Sequence, residues 1–132
     1  LLNNAIKSNC LNWLIVGSSS EYGKTAKKKK FLSKFSKTSP ISTYAMSKKI
    51  FSNLSIDLAK KFNCKCRIMR LFPVYGPDEK KSRLWPSLVK AAKSGKNFHI
   101  ENPFEIRDFN HINDVSKMLV YHNASNGWII TG

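Results

Sequence analysis

Tyr44 and Lys48 stand four residues apart in Tyr44-Ala45-Met46-Ser47-Lys48, and on a helix that spacing puts both on one face, a turn from each other. An ammonium beside a phenol favours the phenolate and lowers a pKa that starts near ~10. Such a phenol takes a proton from a hydroxyl, or returns one, near neutral pH. Upstream, Ser18-Ser19-Ser20 is closed by Glu21-Tyr22-Gly23 and offers hydroxyls that can bond the same substrate oxygen. Together these groups suit the removal of a proton from a secondary alcohol as hydride leaves its carbon for a nicotinamide. Taken alone, the Tyr–Lys pair also describes an ordinary surface pair on a helix, so the surrounding elements decide.

Those elements alternate. Asn3 to Ser8 reads as the end of a helix. Leu11 to Gly17 is a buried strand, almost wholly apolar from Trp13 to Val16 as parallel strands are, and it runs into the serines. A loop follows from Ser18 to Pro40. Pro40-Ile41-Ser42-Thr43 opens a helix with Ser42 or Thr43 as its cap, and Tyr44 and Lys48 fall at its start. Phe51, Leu54, Leu58 and Phe62 recur at three- and four-residue steps, which predicts one buried stripe. Cys64 to Phe72 is the next strand; Pro73, Gly76 and Pro77 then break the pattern. A helix from Leu84 to Ser94 is closed by Gly95. Phe98–Glu101 and Ile106–Asn110 are candidate short strands, Asp114–Asn123 is a helix burying Val115, Met118 and Leu119, and Trp128 to Ile130 is a last strand. Helix–strand alternation predicts an α/β fold with a parallel sheet.

The chain of 132 residues carries 23 basic against 8 acidic residues, a net charge of +15. Such an excess raises a polyanionic partner, nucleic acid above all. The excess is concentrated in Lys24, Lys27, Lys28, Lys29, Lys30, Lys34 and Lys37, with Phe31 and Phe35 the nearest aromatic residues. A solvated lysine-rich loop is the expected reading, nucleic acid is disfavoured, and a basic polyanion binder acting through Lys27 to Lys37 stands as the remote alternative. Cys10, Cys64 and Cys66 are odd in number, and with no leader-like segment they suggest a reducing cytoplasm. No metal site is expected, because Cys64-x-Cys66 has no second Cys or His pair near it. No apolar run approaches the ~20 residues that cross a bilayer, and no membrane partner is expected.

Four blocks carry a resemblance: the strand into Ser18-Ser19-Ser20-Glu21-Tyr22-Gly23; Tyr44 to Lys48; Arg70-Leu71-Phe72-Pro73-Val74-Tyr75-Gly76-Pro77; and Arg107-Asp108-Phe109-Asn110-His111-Ile112-Asn113-Asp114-Val115. In this order and spacing they resemble the extended short-chain dehydrogenase/reductase family, in its NAD-dependent nucleotide-sugar epimerase, dehydratase and reductase group. The resemblance implies a partial Rossmann-like, doubly wound parallel sheet. Residues 1–75 would be the C-terminal half of the dinucleotide-binding fold, and 76–132 part of the small substrate-binding region with a return strand and helix. It implies Ser18, Tyr44 and Lys48 as catalytic residues, with Ser19 in place of Ser18 if the loop is shifted by one. Tyr44, Lys48 and Phe72 would meet the cofactor, NAD or NADP. Ser18, Ser19 and Arg107 would bind a nucleotide-diphosphate sugar, Arg107 gripping the diphosphate with its planar fork. A homodimer is implied for a full-length enzyme.

Two departures bear on activity. The asparagine that usually contacts the sugar nucleotide in the third block is here Pro73, which has neither amide nor N–H to donate. No Gly-x-x-Gly-x-x-Gly is present, the turn that brings backbone N–H groups onto a pyrophosphate. Opening on Leu1 within a helix, the chain is expected to be an internal piece, inactive by itself. Within the group, 4,6-dehydratases place a carboxylate just after the catalytic hydroxyl residue; Ser-Ser-x-Glu-Tyr-Gly is closer to epimerases and 4-keto-sugar reductases.

Overall fold

The computed structural model describes residues 1–29, 31–104 and 106–124. The elements in chain order are α1 (Leu2–Lys7), β1 (Asn12–Ser18), a 3-10 turn (Ser19–Tyr22), α2 (Lys24–Lys28), α3 (Thr43–Lys61), β2 (Lys65–Leu71), β3 (Val74–Tyr75), α4 (Leu84–Lys93), β4 (Asn110–His111) and α5 (Ile112–Ala124). β1 pairs in parallel with β2, from Asn12 opposite Lys65 to Ser18 opposite Leu71. β3 pairs in parallel with β4, Val74 opposite Asn110 and Tyr75 opposite His111. The α/β class and the parallel strands expected from the sequence are thus present. The strand expected at Trp128 to Ile130 lies outside the described residues.

The core sits where α3 crosses β1 and β2. Trp13, Ala59, Cys66 and Ile68 form its buried centre, with Ile6, Ile15 and Ile56 packed against it. Trp13 satisfies its indole by donating to the Cys10 carbonyl at 2.7 Å.

α3 starts where its cap chemistry places it, the Ser42 hydroxyl accepting the Ala45 N–H at 3.2 Å. Its buried face corrects the sequence reading. The buried residues are Ala45, Ser52, Ser55 and Ala59, whereas Phe51, Leu54 and Phe62 are exposed. Small side chains let the helix backbone approach the sheet closely; Leu58, of the expected stripe, is half-buried and packs with Ile56 against the core, while Phe51, Leu54 and Phe62 lie on the outer face. Ser55 keeps its hydroxyl satisfied inside this face by donating to the Phe51 carbonyl at 2.7 Å.

Gly95 has φ 61° and ends α4 as expected. The second sheet is shorter than the sequence suggested. Residues 98–101 form no strand, and β4 reduces to Asn110–His111. A strand persists only where a neighbour receives its backbone groups, and here that neighbour is Pro73 to Tyr75: the Asn110 N–H donates to the Pro73 carbonyl at 2.9 Å. The loop expected around Pro73 and Gly76 therefore holds the short strand β3. Val115 is buried and Met118 and Leu119 half-buried on α5, as the periodicity predicts.

Candidate active site

Gly17 and Ser18 end β1, and the chain turns sharply behind them. Ser18 is the cap of the 3-10 turn: its hydroxyl accepts the Ser20 N–H at 3.2 Å and lies 2.7 Å from the Ser20 hydroxyl. Its own N–H donates to Glu21 Oε1 at 2.9 Å. This reciprocal arrangement is a capping box, and it fixes the serine backbone at the mouth of the strand.

Glu21 is fully buried. Its second oxygen accepts from Arg70 Nε at 2.8 Å, and the Ser52 hydroxyl on α3 donates to Oε1 at 3.4 Å. One carboxylate thus ties the turn, β2 and α3 together. Burial pulls the Arg70 guanidinium down, but the hydrogen bonds to Glu21 and Tyr22 and their charges outweigh it and leave its pKa raised. The Arg70 guanidinium also lies 5.3 Å from the centre of the Tyr22 ring, and Tyr22 is fully buried. A side chain at Gly17 would strike Glu21 Oε1, so the strand end must be glycine for this carboxylate to reach the Ser18 N–H. Gly23 has φ +46°, and a Cβ there would collide with the Ser39 carbonyl oxygen. That close approach is a clasp: the Ser39 N–H donates to the Glu21 carbonyl and the Lys24 N–H to the Ser39 carbonyl, each at 2.9 Å.

From the other side, α3 presents Tyr44 and Lys48. The Lys48 ammonium donates to the Val16 carbonyl at 3.1 Å, which anchors the lysine over the end of β1. Tyr44, one turn earlier, is 58% exposed. Both face a cleft of about 540 Å³ lined also by Ser18, Ser19, Ser20, Phe72 and Arg107. The six residues expected to act in catalysis or binding, Ser18, Ser19, Tyr44, Lys48, Phe72 and Arg107, therefore line one cavity, although they span from Ser18 to Arg107 along the chain.

The far wall was not foreseen. Tyr75 stacks on Trp85 at 4.9 Å between ring centres, and Trp85 meets Phe109 edge-on at 6.0 Å. His111 meets Tyr75 edge-on at 5.2 Å and accepts the Asn113 N–H at 3.2 Å. This aromatic cluster joins β3, α4 and the approach to β4, and it carries Phe109 and Arg107 to the cleft. Glu79 and Arg83 line the same wall. Arg83 Nη1 lies 3.6 Å from Glu79 Oε1, while Glu79 Oε2 is buried with no hydrogen-bond partner among the described residues. The only sequence signal for this pair is the four-residue spacing of Glu79 and Arg83 before a helix. Among the described residues no group of three or more His, Cys, Asp or Glu is placed to hold a metal ion, and no helix is long and apolar enough to cross a membrane.

The arrangement offers hydroxyls, a phenol and an ammonium on one side, guanidinium groups on the other, and aromatic walls between. It suits a polyhydroxylated anion of small-molecule size, since such sites run to about 300–1,000 Å³.

Comparison with known proteins identifies the family and the fold. Residues 1–126 match the profile of the NAD dependent epimerase/dehydratase family. A search of curated proteins returns no significant match. Among solved structures, the chain superposes on a UDP-glucuronic acid 4-epimerase from Bacillus cereus in complex with NAD, with TM-score 0.85 and 26% identity over 98% of this chain and 42% of that one. A UDP-N-acetylglucosamine 4-epimerase from Methanobrevibacter ruminantium in complex with UDP-N-acetylmuramic acid gives TM-score 0.85 at 20% identity, over 96% of this chain and 42% of that one. A dTDP-glucose 4,6-dehydratase from Bacillus anthracis in complex with NAD gives 0.83 at 21% identity, over 96% and 41%. The chain thus spans about two fifths of the length of the structures it matches.

Proposed function

The chain belongs to the NAD dependent epimerase/dehydratase family, and from that premise we propose that it carries the catalytic portion of a nucleotide-sugar 4-epimerase or 4-keto-sugar reductase. The observation that carries the proposal is the convergence of Ser18, Ser19, Tyr44, Lys48, Phe72 and Arg107 on one cleft. In this reading residues 1–75 hold the catalytic hydroxyls, and 76–132 supply the wall that meets the substrate.

The residues present fit the nicotinamide end of NAD or NADP. Lys48 and Tyr44 offer donors to a ribose, and Phe72 offers an aromatic wall to the ring. A glycine-rich pyrophosphate turn is not among the 132 residues, so the remainder of the dinucleotide needs chain beyond them. A bound nicotinamide would supply hydride acceptance and return at the sugar C4. Tyr44 would accept the proton of the sugar 4-hydroxyl as its phenolate and return it as the phenol. The Ser18 hydroxyl bonds the same oxygen, held in place by the capping box behind it. Lys48, fixed on the Val16 carbonyl, would offer its ammonium to the nicotinamide ribose. Arg107 pairs with the diphosphate, which would be costly to enclose without a cation.

A specific observation favours the epimerase or reductase over a 4,6-dehydratase. Dehydration needs a carboxylate to take a proton at C5, and Glu21, the acid after the serines, is fully buried and paired with Arg70. It serves the fold and is not free to act as a base. The test is Tyr44→Phe in a length-restored enzyme, with a glycine-turn half joined ahead of Leu1. Turnover should fall by about 10²–10⁴-fold, the contribution of a positioned acid/base, with nucleotide-sugar KM little changed. Full turnover in the variant would remove Tyr44 from the mechanism.

A further inference from the structure

The interval from Lys24 to Lys37 takes no part in the proposed reaction, yet it is the most strongly charged stretch of the chain. It carries seven lysines, and no acidic residue lies between Glu21 and Asp57. Its root is fixed. Besides the clasp at Ser39, the Tyr22 hydroxyl donates to the Ser33 carbonyl at 3.3 Å and the Lys49 ammonium to the Thr38 carbonyl at 3.3 Å. On either side of the anchored Ser33, Phe31 and Phe35 are 80% and 86% exposed, and the Lys34 ammonium lies 5.0 Å from the centre of the Phe35 ring.

Two large rings held in water among lysines have the composition of a segment that lies on an anionic bilayer. Ammonium groups there meet the headgroups, and aromatic rings enter the boundary between headgroups and acyl chains. We propose that this segment docks the protein reversibly on an anionic lipid surface, with Phe31 and Phe35 entering that boundary and Lys24, Lys27, Lys28, Lys29, Lys34 and Lys37 facing the headgroups. The absence of a spanning run bears on crossing a bilayer, not on lying against one. The competing polyanion is nucleic acid. Proteins that hold single strands seat the bases in a basic groove with aromatic platforms. Phe31 and Phe35 line neither the active cleft nor the shallower one at the start of α3, formed by Lys24, Pro40, Ile41, Thr43 and Met46 among others. The rings are presented outward, which suits insertion better than stacking within a groove.

The proposal stands apart from the enzymatic reading, and its test needs no turnover. Residues 1–132 are sedimented with vesicles of phosphatidylcholine alone and of phosphatidylcholine with about 30% phosphatidylserine. The protein should partition to the anionic vesicles at least about tenfold more strongly, and less so as salt rises. Each lysine near such a surface contributes about fivefold. Replacing Lys27, Lys28, Lys29 and Lys34 by Gln should therefore abolish most of the preference. Phe31→Ala with Phe35→Ala should weaken binding several-fold while leaving its salt dependence in place. In a Phe35→Trp variant, emission should shift to the blue on anionic vesicles, a response that charge pairing alone does not produce. Equal partition to both vesicle types would overturn the proposal, as would an unshifted emission from that variant. A single-stranded oligonucleotide that binds more tightly than the vesicles at matched salt would assign the segment to nucleic acid instead.

Discussion

Replacing Arg70 by Met tests the buried carboxylate behind the serines. Glu21 is fully enclosed and accepts three groups: the Ser18 N–H at 2.9 Å, Arg70 Nε at 2.8 Å and the Ser52 hydroxyl at 3.4 Å. Only Arg70 brings a positive charge, and its side chain is 10% exposed, so water screens the pair little. The substitution removes a charge-assisted hydrogen bond of about 1.5–3 kcal/mol. It also leaves a buried anion uncompensated, which brings the cost of breaking such a pair to about 3–5 kcal/mol. Against a total stability of about 5–15 kcal/mol for a domain, that is a large fraction. Glu21→Leu should cost a similar amount, because it strands the guanidinium and releases the Ser18 N–H. The double variant should recover part of the loss, since an apolar pair of similar volume is often neutral relative to a buried ion pair. Urea unfolding of the four proteins gives the coupling energy by a double-mutant cycle, expected at about 2 kcal/mol or more. Additive single losses, or an Arg70→Met loss under about 1 kcal/mol, would refute the view that this pair holds the turn.

Three further outcomes follow from the site and the core. In the length-restored enzyme, Arg107→Lys should weaken nucleotide-sugar binding about tenfold, because an ammonium lacks the planar fork that meets two phosphate oxygens in parallel; unchanged substrate KM with a lower NAD affinity would move Arg107 to the cofactor side. Calorimetry on residues 1–132 should show no NAD binding, since the pyrophosphate turn is not in the sequence, and micromolar affinity would contradict this. Burial, and then the neighbouring Cys64, push the Cys66 thiol from 9.0 up to about 11. A group whose pKa is raised by folding supports the fold below its unfolded value, so stability should hold to about pH 9 and fall as pH rises toward 11. In the native protein at about pH 8, iodoacetamide should modify Cys10 and Cys64 ahead of Cys66, and equal rates at all three thiols would contradict that ordering.

Local chemistry was legible where one residue settles it. Ser42 caps α3 because its hydroxyl reaches the Ala45 N–H, and Gly95 ends α4 because it accepts φ 61°. The cleft residues could be named because they recur as blocks of fixed order. What the sequence hid was non-local. Glu21 and Arg70 are 49 positions apart, and no spacing rule joins them. Periodicity found α3 and misplaced most of its buried face: Phe51 and Leu54 satisfy the same helical step as Ser52, Ser55 and Ala59, and the sheet selects the small residues by closeness of approach, with Leu58 alone of the expected stripe half-buried against the core. Residues 98–101 have strand-forming composition, but a strand needs a neighbour, and that neighbour is settled by the tertiary fold.

The clasp at Ser39 separates what happens on either side of it. Its two backbone bonds close the chain on itself just after the serine turn and just before the tyrosine helix. Beyond the neck the chain is tied inward again at Ser33 and Thr38, so its length can vary only where no such tie falls, since loop closure depends only weakly on length. The neck sets the spacing between the serine turn and the start of α3. The exposed stretch from Ala26 to Lys29 is therefore the part free to change composition while the turn beneath it stays fixed.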